Sequence, residues 1–181
     1  MSGGRRARCL LLICGSLRAE STNAALLRTV EAMLPDDVEA DWYAGTAELP
    51  HFNPDDDVDP LPTSVADLRQ RIVQASAILF STPEYAGAMP GSLKNLLDWT
   101  VGGVEISDKP VGWINISPTP GGAARTYESL TTVLTYTGAR VIDAACVHIP
   151  VPRPAIGDGG LIDDPGLRSQ IAQAVSSLLT V

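Results

Sequence analysis

Residues 9–23 read Cys9-Leu10-Leu11-Leu12-Ile13-Cys14-Gly15-Ser16-Leu17-Arg18-Ala19-Glu20-Ser21-Thr22-Asn23. The first six are continuously apolar and stop at Gly15-Ser16. A short apolar run closed by a turn reads as a strand buried on both faces of a parallel sheet. Helical spacing follows at once. Ala25, Leu26, Val30 and Leu34 mark an apolar stripe over 21–34, with Ser21 or Thr22 suited to the N-cap. Pro35-Asp36-Asp37 ends that helix.

The same unit recurs along the chain. Residues 38–43 read as a second strand, and 44–62 as a long polar loop. Thr63-Ser64 caps a helix to about 75, and 77–81 is a third buried strand. A short helix over 90–99 carries Pro near its first turn, where the lost N–H costs little. A fourth strand is expected over 111–117. A helix over 123–137, closed by Gly138, and a fifth strand over 139–149 come next. Residues 150–160 are irregular. Asp163 or Asp164 then caps a final helix from Pro165 to about 179. Strand and helix alternate five times, which specifies an α/β three-layer sandwich with a parallel sheet. The length of 181 residues suits one flavodoxin-like domain spanning 1–181, with five strands in the order 2-1-3-4-5.

Composition narrows the function classes. The formal net charge of −8 argues against a nucleic-acid surface or an anionic membrane as partner. The run 9–14 is too short for a membrane span or an export signal. Three cysteines without regular spacing read as buried, inert thiols in a reducing, cytoplasmic setting. Asp55, Asp56, Asp57 and Asp59 lack metal-loop spacing and read as a solvated loop; no metal is expected. His51 and His148 stand in no catalytic motif, and no nucleophilic triad is visible.

In a 2-1-3-4-5 sheet the loops after strands one, three and four converge at the ligand crevice. The first holds Ser16, Arg18, Ser21, Thr22 and Asn23 before a helix N-terminus, a setting that suits a phosphate. It has neither the lysine of a P-loop nor the glycines of the dinucleotide fingerprint, so a mononucleotide phosphate is favoured over a pyrophosphate. A well-capped solvated turn is the alternative. The second loop carries Pro83, Glu84, Tyr85, Ala86 and Gly87. Tyr85 offers a flat face to a planar ligand. Glu84 can accept from a ring N–H or pair with an arginine of a neighbouring subunit; a plain surface turn is the alternative. The third loop, Ser117 to Ala123, places the pair Gly121-Gly122 before another helix. Its N–H groups can stabilise negative charge on a reduced flavin, or it can be a flexible helix entry.

Gly15-Ser16-Leu17-Arg18-x-x-Ser21-x-Asn23-x-x-Leu26 resembles the first loop of the NADPH-dependent FMN reductase family, which includes quinone, chromate and azo-dye reductases. Thr82-Pro83-Glu84-Tyr85-x-Gly87-x-x-Pro90-Gly91-x-Leu93-Lys94-Asn95-x-x-Asp98-Trp99 resembles its second signature. Leu49-Pro50-x-Phe52-Asn53-x-Asp55 and Ser117-x-x-x-Gly121-Gly122 also fall where that family has similar segments. The resemblance implies phosphate contacts at Ser16, Arg18, Ser21 and Asn23. It implies ring contacts around Pro83, Glu84, Tyr85 and Gly87, and at Ser117, Gly121 and Gly122. It further implies bound FMN, hydride from NADPH or NADH, and two-electron delivery to a quinone or similar small acceptor. No catalytic side chain is required. Homodimers or homotetramers with the flavin near the subunit boundary are implied as well. A one-electron carrier and a non-enzymatic flavin-binding module are the competing readings. With aromatic content of only 5% and Tyr85 alone well placed, an open ring face favours hydride exchange.

Overall fold

The computed structural model describes residues 8–180. Five parallel strands, β1 (Arg8–Cys14), β2 (Val38–Tyr43), β3 (Ala77–Ser81), β4 (Pro110–Asn115) and β5 (Arg140–His148), form one sheet in the order β2-β1-β3-β4-β5. The helices are α1 (Thr22–Glu31), α2 (Thr63–Gln74), α3 (Gly91–Asp98), α4 (Ala124–Tyr136) and α5 (Pro165–Leu179).

Alternation along β1 divides the core between two faces. Leu10 and Leu12 point to the side covered by α1 and α5, packing with Leu26, Val30, Ile171 and Val175. Leu11 and Ile13 point to the opposite side, among Leu68, Ile72, Leu93, Trp99 and Leu130 of α2, α3, α4 and their ends. Both faces are sealed, which is why β1 and β3 read as unbroken apolar runs.

Several boundaries differ from expectation. Helix α1 ends at Glu31 with Ala32 as C-cap, because the chain turns before Pro35 and leaves Leu34 outside the helix. The N-cap of α2 is Pro62 rather than a Thr63 or Ser64 hydroxyl, and α3 starts at Gly91 with Pro90 as its N-cap. Strand β4 stops at Asn115, two residues early, because the Asn115 side chain takes the Ser117 N–H. Helix α5 is capped by Asp164, whose carboxylate accepts from Leu167 N. Strand β5 carries a register shift opposite Gly112, where a Cβ would lie 2.7 Å from Ala145 Cβ.

The acidic loop is not wholly solvated. Asp57 accepts from buried Arg69 at 2.7 Å, and the same guanidinium donates twice to the Trp99 carbonyl, at 3.0 and 2.8 Å. A guanidinium presents several donors in a fixed fork, so one side chain joins α2, the end of α3 and the loop. Asn95 and Trp99 hold the same loop from the other side. Asn95 accepts from Phe52 N and donates to Pro50 O, and Trp99 Nε1 donates to Pro50 O. Phe52 meets the Trp99 ring edge-on at 5.0 Å.

Cys14 is buried, but Cys9 and Cys146 are only half-buried, which corrects the expectation of three buried thiols. Burial raises all three thiol pKa values, that of Cys146 to about 12. The thiolate is the reactive form. Native protein at pH 8 should therefore alkylate at Cys146 far more slowly than unfolded chain does. Mass-spectrometric timing with iodoacetamide checks this, and equal rates in both states would contradict it.

Candidate flavin site

The sheet order reverses between β1 and β3, and the loops after β1, β3 and β4 meet at that end of the sheet. Gly15 N donates to Ser81 O at 2.9 Å. A Cβ on Gly15 would lie 2.1 Å from Thr82 Oγ1, so only glycine lets the first two loops touch.

The first loop runs into α1. Ser21 is the N-cap and its hydroxyl oxygen accepts from Asn23 N; Ser16 Oγ accepts from Arg18 N. Each hydroxyl keeps its own proton for another acceptor. The N–H groups of Thr22 and Ala24 take no acceptor among the described residues, as the first turn of a helix dictates. Asn23 is buried, and its carbonyl oxygen accepts from Ser81 Oγ at 2.8 Å. Arg18 has no carboxylate partner among the described residues.

These candidates do not line one cleft. Ser16 and Arg18 border a depression of about 260 Å³ shared with Trp42, Ala44 and Thr46 at the end of β2. The buried Thr46 hydroxyl there has no partner among the described residues. Ser21 and Thr22 border a second cleft of about 370 Å³ toward Arg153 and Gly157–Gly160. Arg28 lines both, and sequence reading missed it. Its signal was present: Arg28 follows Ser21 by seven residues, two turns along the same helix face.

The second and third loops are joined through α4. Tyr127, buried, accepts from Thr82 N at 3.2 Å and lies 3.0 Å from Thr82 O and 3.2 Å from Ile114 O. Burial pushes its phenol pKa far above the ordinary value, so it stays a donor. Glu84 Oε2 accepts from Thr126 N at 3.2 Å and so caps α4. Ala86 and Gly87 both have positive φ, at 52° and 74°, in a tight turn between Tyr85 and Ala88. Tyr85 is half exposed.

In the third loop Gly121 and Ala123 have φ of 71° and 58°. Their N–H groups take no acceptor among the described residues. Left-handed residues set among right-handed ones turn successive N–H groups to one side, forming a concavity for negative charge. A Cβ at Gly122 would lie 2.0 Å from Ser117 Oγ, so the loop needs glycine there.

The sheet order, with a hydroxyl- and arginine-bearing helix start at its switch point, defines a flavodoxin-like α/β protein. The model of the NADPH-dependent FMN reductase family matches residues 9–151. The chain is 31% identical over 171 residues to an NAD(P)H-dependent FMN reductase of Pseudomonas aeruginosa, covering 93% of this chain and 92% of the relative. It is 30% identical to a quinone reductase of Escherichia coli over 137 residues, 74% of this chain and 73% of the relative. The structure of FerB, a flavoenzyme NAD(P)H:(acceptor) oxidoreductase from Paracoccus denitrificans, superposes with a TM-score of 0.83 at 28% identity, covering 96% of this chain and 98% of that one. The chain belongs to the NADPH-dependent FMN reductase family and is an oxidoreductase. No helix among the described residues is long and apolar enough to cross a membrane. No group of three or more His, Cys, Asp or Glu side chains among them could hold a metal ion.

Proposed function

We propose that this chain holds FMN at the α1 N-terminus and passes two electrons from NADPH or NADH to a quinone or similar small acceptor. The observation that carries the reading is the donor set at the switch point: first-turn N–H groups of α1 and Arg18, none with a partner among the described residues, and the Ser16 and Ser21 hydroxyls. All are donors, and a phosphate dianion is acceptor-only. The group fits the residues present.

Ser16 and Arg18 from one cleft, and Ser21 and Thr22 from the neighbouring cleft that shares Arg28, would hold the phosphate together with the Asn23 amide. Pro83, Glu84, Tyr85, Ala86 and Gly87 would flank the ring, with the free second oxygen of Glu84 as an acceptor. Ser117, Gly121 and Gly122 would lie at the ring edge that gains charge. Bound FMN supplies the redox chemistry, taking hydride and giving it on. The protein binds, orients and offers backbone donors to the charge. Tyr85, half exposed, would flank the ring, and an open ring face would admit nicotinamide and acceptor in turn. No side chain is assigned a proton transfer. His51 is exposed, and His148 Nε2 lies 2.8 Å from the Ser117 carbonyl oxygen. A homodimer or homotetramer in the cytoplasm completes the reading; the raised thiol pKa values and the lack of disulfides suit that compartment.

Steady-state oxidation of NADPH and of NADH, with FMN and a benzoquinone, tests this reading. Acceptor-dependent consumption of either nucleotide is expected. Bound flavin without nucleotide consumption would instead favour a one-electron carrier or a regulatory module.

A further inference from the structure

Asn115 closes β4 and is buried, yet its side chain bonds to neither neighbouring strand. Its amide nitrogen donates to Gly122 O at 2.8 Å, and its amide oxygen accepts from Ser117 N at 3.0 Å. One planar group thus ties both ends of the third loop together. On the outer side His148, paired with Asn115 in the β4–β5 ladder, places Nε2 2.8 Å from the Ser117 carbonyl oxygen. The loop between these braces is the one with left-handed Gly121 and Ala123, whose N–H groups take no acceptor among the described residues.

Such a backbone does not hold its shape unaided. Ala123 at φ 58° costs about 1–3 kcal/mol and persists only where the surroundings over-determine it. Asparagine is suited to the task because its amide carries a donor and an acceptor side by side. Leucine of similar volume would leave the Gly122 carbonyl and the Ser117 N–H unpaired near the core.

We propose that Asn115 is a positioning residue for the redox state of the flavin, with His148 as its outer brace. The pair holds the Gly121 and Ala123 N–H groups toward the ring edge where reduction brings negative charge. Donors aimed at charge present in only one state stabilise that state selectively. Asn115 therefore favours reduced over oxidised FMN and raises the bound flavin's potential. This rests on the reading that FMN is held at the three loops.

The variants are Asn115→Ala and, should the first fold poorly, His148→Ala on the exposed side. FMN affinity is measured in both redox states alongside the flavin midpoint potential. Hydrogen exchange at residues 117–124 is followed in the flavin-free protein. In Asn115→Ala, reduced FMN is expected to lose about tenfold more affinity than oxidised FMN. For a two-electron couple that lowers the potential by about 30 mV. His148→Ala should shift it in the same direction by less, and both should speed exchange at the bonded Gly122 and Ala124 N–H groups without flavin. Faster exchange with equal weakening of both redox states would overturn the proposal, since the residues would then be purely structural. Unchanged exchange and potential in both variants would overturn it too. Wild-type protein that binds no FMN would instead overturn the underlying site reading, even if exchange at the loop responds as expected.

Discussion

Arg69→Ala is expected to lower the unfolding free energy by about 3–5 kcal/mol, the cost of stranding a buried charge whose partner is removed. Arg69 and Asp57 side chains are only 10% and 9% exposed, so solvent does little to screen them. Glu105 Oε2 lies 4.0 Å from Arg69 Nε and has no hydrogen-bond partner among the described residues. The substitution therefore leaves two carboxylates facing each other's surroundings without their cation. It also removes both donors from the Trp99 carbonyl. In urea unfolding the midpoint should fall with little change in slope. Asp57→Asn in the Arg69→Ala background should recover part of the loss, because it removes one stranded charge. A loss below about 1 kcal/mol would place this pair in the class of surface bridges and contradict the account.

Arg18→Ala should weaken FMN binding by about tenfold to a hundredfold, the usual worth of a hydrogen bond to a charged group. Riboflavin, which lacks the phosphate, should bind the variant and the parent alike. Salt should weaken FMN binding less in the variant, because the lost contact is the screened one. Thermal unfolding of the flavin-free variant should match the parent, since Arg18 is exposed and has no ion pair among the described residues. Calorimetric titration with both flavins reads all of this. Equal FMN affinity in variant and parent would remove Arg18 from the phosphate site.

The sheet order was legible because β1 and β3 are buried on both faces, leaving unbroken apolar runs with turn signals behind them. Element ends were less legible. The end of β4 depends on which backbone group the Asn115 amide captures, and that is a tertiary matter. The second motif proved to hold two kinds of residue. Pro83 to Gly87 form the tight turn from which Glu84 caps α4, whereas Asn95 and Trp99 brace the 44–62 loop through Pro50 and Phe52. Position in a signature does not separate these roles; only the hydrogen-bond partners do. Asp57 read as solvated because its cation, Arg69, lies twelve residues on in another element. Arg28 escaped notice because the apolar stripe of α1 dominates its pattern, while its charge acts across a gap that only the folded chain defines.

Anaerobic mixing of the FMN-loaded protein with one equivalent of NADPH or NADH, followed by a quinone, tests the central claim most directly. The visible flavin absorbance should bleach with the nucleotide and return in full when the quinone is added. Flavin lost on gel filtration, or flavin retained but left unbleached by both nucleotides, would contradict it.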